Sequence, residues 1–101
     1  MKIVKVNYVA MPDYAEQNMQ NIRTVMSDLR NAGHPGIWYD AFVAADGKSF
    51  THLARFDSED DHKILNALPA FLRFQEQLKA RGFEVPPKQE LLTLVGSTKE
   101  A

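Results

Sequence analysis

The chain has 101 residues, 45% hydrophobic and 25% charged, with a formal net charge of -1, which gives room for one domain around one core and leaves no segment to read as disordered. The near-neutral balance, with lysines and arginines interleaved among acids, excludes the clustered basic stripe that nucleic acid requires. The lack of cysteine excludes a disulfide framework, a thiol nucleophile and a thiolate metal site.

At the N-terminus, MKIVKVNYVAM is interrupted by Lys5 and Asn7 too soon for a signal peptide. Nothing in the chain approaches the roughly 18 consecutive apolar residues of a membrane span, so a cytoplasmic protein with no membrane partner is expected. Residues 2 to 11 are rich in β-branched and aromatic side chains and stop at Pro12, which predicts a strand. One alternating set is Val4, Val6, Tyr8 and Ala10; the other is Ile3, Lys5, Asn7, Val9 and Met11. Periodicity sends the first, more apolar set inward. Asp13, with Glu16 three residues on, predicts a capped helix start. Met19, Ile22, Val25, Met26 and Leu29 then recur at helical spacing up to Gly33, a residue suited to the left-handed cap.

Residues 36 to 45 and 49 to 56 predict two strands around Asp46-Gly47, a strong hairpin signal. With that tip, Val43 faces Phe50, Ala41 faces His52, Tyr39 faces Ala54 and Trp38 faces Arg55. The face holding Tyr39, Ala41, Val43, Phe50, His52 and Ala54 is almost wholly apolar and should lie against helices. The other face holds Trp38, Phe42 and Leu53. Ser58 and Asp61 predict a second capped helix, which Pro69 divides before it ends near Gly82. Residues 83 to 88, with their Pro-Pro pair, read as a linker, and Leu91 to Val95 as the last strand ahead of a polar tail.

The order β-α-β-β-α-β predicts a single α+β domain over residues 1–101. Its form is ferredoxin-like, a four-stranded antiparallel sheet with the helices on one face. The opposite face would then expose Trp38, Phe42 and Leu53, an apolar patch that a monomer should not leave open. A homodimer is expected, its two sheets paired face to face. Asp40 and Arg55, on that same face, could pair across such an interface.

Among the histidines, His34 lies in the turn Gly33-His34-Pro35-Gly36. His62 follows Glu59 at Glu-x-x-His spacing, but a dimetal carboxylate site needs two such pairs and two further carboxylates, so no metal is expected. His52 is the informative one. On the hairpin register it points inward beside Tyr39. It is either a core histidine satisfied by a hydrogen bond or a base and donor in a pocket between sheet and helices. Gln75 falls on the helical stripe where an apolar residue is expected and adds to the second reading. A polar side chain on an inward face has a burial cost unless it is paired.

The strand MKIVKVNYV, the amphipathic first helix, the Asp46-Gly47 hairpin and THLARFDSEDD running into a broken helix together resemble the dimeric α/β-barrel superfamily. That superfamily holds antibiotic-biosynthesis monooxygenases, haem-degrading monooxygenases and stress-responsive barrel proteins. The resemblance covers nearly the whole chain and is one of element order. It implies a homodimer with a small-molecule pocket between sheet and helices in each subunit. In the haem-degrading branch an Asn on the first strand, a Trp at the end of the third and a His on the last helix carry function. Asn7 matches the first, Phe56 stands in place of the Trp, and Phe74-Gln75-Glu76-Gln77 offers no His, so no haem or other cofactor is implied. The Asn7 match would turn that residue toward the pocket, against the periodicity. The resulting expectation is a cofactor-independent monooxygenase of an aromatic or phenolic substrate, with His52 catalytic and Tyr39, Asn7 and Gln75 binding the substrate. The alternative is a non-catalytic ligand-binding or structural dimer module.

Overall fold

A computed structural model describes residues 1–99. Strands β1 (Lys2–Ala10), β2 (Ile37–Val43), β3 (Ser49–Phe56) and β4 (Phe83–Leu92) alternate with helices α1 (Ala15–Ala32), α2 (Glu59–Ala67) and α3 (Pro69–Arg81). The strands form one antiparallel sheet in the order β2-β3-β1-β4. This is the expected ferredoxin-like arrangement.

The β2–β3 register is the one the Asp46-Gly47 tip predicts: Ala41 opposes His52, Tyr39 opposes Ala54 and Trp38 opposes Arg55. Asp46 fixes the turn by accepting the amide N–H groups of Lys48 and Ser49, each at 2.9 Å, while Gly47 takes φ 76°. Because side chains alternate along a strand, this register sets which face every residue of the hairpin occupies. In β1 the periodicity prevails: Val4, Tyr8 and Ala10 are buried in the core.

The core lies between this face of the sheet and the helices. Phe50, Ala54 and Phe56 of β3 pack with Ile22 and Val25 of α1, Leu65 of α2, and Phe71, Phe74 and Leu78 of α3. Pro69 divides the second helical segment as expected, standing in the first turn of α3, where its missing N–H removes no helical bond. Ser58 caps α2, its hydroxyl accepting the Asp61 amide at 3.2 Å. Gly33 ends α1 in the left-handed conformation.

Two elements differ from expectation. Asp13 does not cap α1; Tyr14 occupies the cap position and makes no side-chain capping bond. The Asp13 carboxylate instead accepts from the Arg81 guanidinium at 2.8 Å, and that guanidinium lies 5.0 Å over the Tyr14 ring, tying the start of α1 to the end of α3. The last strand begins at Phe83, so the segment expected to be a linker is paired with β1, while Thr93, Leu94 and Val95 lie outside it. Pro86 and Pro87 are tolerated because β4 is an edge strand, and the register slips next to them, between Asn7 and Ala10 of β1.

Candidate functional site

Three strands and two helices converge on His52. Strand β3 carries it between Phe50 and Ala54 on the core face; Val6 of β1 and Ala41 of β2 are its direct cross-strand neighbours. Two residues along, on the same face, β1 and β2 bring Tyr8 and Tyr39 to either side of the imidazole. Helix α1 supplies Asn18 from above, and α3 supplies Phe74, whose ring centroid is 5.5 Å from that of His52.

His52 is only 5% exposed, and both of its ring nitrogens are engaged. The Tyr8 hydroxyl lies 2.8 Å from Nε2 and the Tyr39 hydroxyl 2.7 Å from Nδ1. Beyond Tyr8 the chain continues: Asn18, fully buried at 0%, donates its amide N–H to the Tyr8 oxygen at 2.8 Å. Burial with no compensating carboxylate disfavours the imidazolium and pushes the His52 pKa down to about 4. Burial likewise holds both phenols well above the ordinary tyrosine range. The group is thus a neutral hydrogen-bonded chain near pH 7. Neither ring nitrogen is free and the charged form is disfavoured, which weighs against His52 as a base near neutral pH.

The chain borders a cavity of about 200 Å³ between β4 and α3. Tyr8, Tyr39, Phe71, Phe74 and Phe83 are its aromatic walls, and Gln75, Lys79 and Gln89, all exposed, stand at its mouth. Tyr39 is also a wall of a more open groove of about 570 Å³, between the end of α1 and β2, where Met26, Leu29 and Ile37 lie. The structure therefore gathers His52, Tyr39 and Gln75 around one cavity. It does not bring Asn7 there. Asn7 points from the opposite face of the sheet, where its side-chain oxygen accepts the Thr51 hydroxyl at 2.7 Å. Strand periodicity gives the reason, since the inward positions beside it are Val6 and Tyr8.

Tyr8 and Asn18 were not singled out from the sequence. A signal for Asn18 was present: it precedes Ile22 and Val25 by four and seven residues, on the apolar stripe of α1. Among the described residues no cluster of His, Cys, Asp and Glu could hold a metal ion. His62 instead stacks on Phe56 at 4.4 Å, and Glu59 pairs with Lys2.

No family model matches the chain, and no curated protein matches it. Solved structures do. An antibiotic biosynthesis monooxygenase superposes with a TM-score of 0.79 at 18% identity, over 95% of this chain and 100% of its own. The fold is that of the antibiotic biosynthesis monooxygenases. Rv0793 from Mycobacterium tuberculosis gives 0.78 at 17% identity, over 97% of this chain and 98% of its own. A mutant of SnoaB, a cofactor-independent oxygenase from Streptomyces nogalater, gives 0.69 at 18% identity, with 98% of each chain covered. At these identities the monooxygenase likeness is one of fold, and activity has to be argued from the site.

Proposed function

We propose that this chain binds a one-ring aromatic molecule in the His52 cavity and, when that molecule is a quinol, acts as a cofactor-independent monooxygenase. The observation that carries the reading is the buried Asn18–Tyr8–His52–Tyr39 chain next to an aromatic-walled cavity. Buried polar chains carry a high desolvation cost, and a core needing only packing has no use for one at a cavity wall. The volume of about 200 Å³ suits a small ligand: an apolar cavity of about 150 Å³ holds benzene, so a single ring with small substituents fits.

An electron-rich ring needs no added reductant. A hydroquinone and one O2 give a hydroxyquinone and one water: one oxygen atom replaces a ring hydrogen as a hydroxyl, the two hydroxyls of the quinol become carbonyls, and the second oxygen atom leaves with their hydrogens. The protein contributes orientation, hydrogen bonds and a dry cavity. In this reading His52 positions Tyr39, while Tyr39 and Gln75 contact the ligand. The fold shared with SnoaB, named a cofactor-independent oxygenase, supports the reaction class.

The working unit in this reading is a homodimer. Trp38 and Phe42 are 54% and 56% exposed on the outer sheet face, where Asp40 and Lys5 offer opposite charges to a second copy of the same face. Full pairing of both His52 nitrogens favours a second reading, a ligand-binding dimer without turnover.

Oxygen uptake separates the two. With hydroquinone or methylhydroquinone, one O2 consumed per quinol above the protein-free rate is expected, and Tyr39→Phe should lower it about tenfold, as for a hydrogen bond worth ~1.4 kcal/mol in the transition state. Binding without uptake establishes the non-catalytic module; neither binding nor uptake rejects the site.

A further inference from the structure

Proton counting along the buried chain gives it a direction. Asn18 spends an N–H on the Tyr8 oxygen, so Tyr8 must send its own proton elsewhere. Tyr8 is 4% exposed, and among the described residues the acceptor within reach is His52 Nε2, at 2.8 Å. A neutral imidazole that accepts at Nε2 carries its proton on Nδ1. That proton points at the Tyr39 oxygen, 2.7 Å away. Tyr39 accepts it, and its own O–H is left with no acceptor among the described side chains. Tyr39 lines the cavity, so its hydroxyl hydrogen is the donor the chain delivers there.

The amide of Asn18 sets the start of this sequence. With that N–H donated, its Oδ1 is a buried atom without a hydrogen-bond partner among the described residues. The reversed amide would offer Tyr8 an acceptor and turn the whole chain around, but it would orphan an NH2 group in place of a carbonyl oxygen. Buried orphan N–H groups are the rarer arrangement. A second feature acts in the same sense: Lys79 stands at the mouth of the cavity and makes no ion pair among the described residues.

We propose that Asn18 is a positioning residue that fixes the chain as Asn18→Tyr8→His52→Tyr39, so that Tyr39 presents a donor to the cavity and selects a ring bearing an anionic or carbonyl oxygen over a neutral hydroxyl. This rests on the reading of the cavity as an aromatic-ligand site and names the ligand class for it. A site of this kind does not remove a proton from a phenol into His52. It stabilises the phenolate already formed, which is the electron-rich species that reacts with oxygen.

The first half is tested on the unliganded protein by nitrogen-15 NMR of the imidazole. The proton is expected on Nδ1 of His52, and a proton on Nε2 overturns the direction. The second half uses 4-nitrophenol, whose ionisation is visible by absorbance. Bound to the wild-type protein, its pKa should fall by about one unit, a tenfold preference for the anion, and Tyr39→Phe should return it toward the free value. A bound pKa equal to or above the free value overturns the ligand class. If 4-nitrophenol does not bind while the Nδ1 proton is found, the aromatic-ligand reading and the ligand class fail together and the direction of the chain stands.

Discussion

The two faces of the β2–β3 hairpin each break the ordinary rule of burial, in opposite senses. The inner face holds a buried histidine hydrogen-bonded to one buried and one half-buried phenol, whereas the outer face leaves a tryptophan and a phenylalanine half in solvent. A polar group buried with partners has a use for its position, and a large apolar group left exposed is waiting for cover. Each face thus carries one of the two proposed interactions, a small molecule on the inner side and a second copy on the outer. The sheet also separates them physically, since no side chain can serve both of its faces.

The inner face should be the sensitive one. Replacing His52 by Ala leaves the Tyr8 and Tyr39 hydroxyls facing a hole. With each unpaired buried group costing ~1 to 3 kcal/mol, a loss of about 3 kcal/mol is expected in a denaturant melt. A loss below ~1 kcal/mol would mean that water replaces the imidazole freely, and the inner face would then be no more specialised than the outer.

Acid should probe the same group without mutation. His52 is held down to about 4 from an ordinary value of 6.5. Between those values the unfolded chain binds a proton that the folded chain refuses. The stability due to neutral His52 is therefore complete above pH ~6.5, falls by about 1.4 kcal/mol per unit below it, and is spent near pH 4, about 3 kcal/mol in all. Melts from pH 7 to pH 4 should show that slope in the wild type and lose most of it in His52→Ala. Equal slopes in both would place the acid sensitivity elsewhere.

How much of this was legible in the sequence depended on how local the cause was. The hairpin register follows from two residues, Asp46 and Gly47, and it placed His52 and Tyr39 on the inner face and Trp38 on the outer. Periodicity placed Tyr8 inward and Asn7 outward while the family resemblance turned Asn7 toward the pocket, and the sequence left the two in conflict; in the structure Tyr8 is in the core and Asn7 is on the outer face. At the start of α1 the structure differs: Tyr14 takes the cap position, and Asp13, the acid expected there, pairs with Arg81 from the far end of α3. The start of β4 was misread because two prolines signal a linker unless the strand is known to be an edge. Asn18 was passed over for a similar reason: its partner, Tyr8, comes from another element, and only the assembled fold shows that its polar end is used.

The outer face should respond in assembly before it responds in stability. Trp38→Glu would set a charge in the proposed interface with no partner built for it. Sedimentation of the wild type at high micromolar concentration should give a dimer, and the variant a monomer that keeps the His52 cavity and melts as a folded domain. A monomeric wild type would leave Trp38 and Phe42 as exposed side chains without cover and remove the dimer from the proposal.

The smallest effect is expected at Asn7, which sits on the strand next to His52 and faces the opposite way. Asn7 accepts one hydrogen bond from Thr51 at 2.7 Å, on a face only partly buried. In the separated protomer, where this face meets water, Asn7→Ala deletes that bond and leaves a hydroxyl that water can reach, so the cost to its folding should be about 0.5 kcal/mol, at the low end for a hydrogen bond. Quinol-dependent oxygen uptake and the binding of 4-nitrophenol should be unchanged, since the side chain lies across the full thickness of the sheet from the cavity. The decisive measurement is uptake by Asn7→Ala beside Tyr39→Phe. A drop at Asn7 comparable to that at Tyr39 would show that the outer face shapes the ligand site, and the division of labour between the two faces would have to be given up.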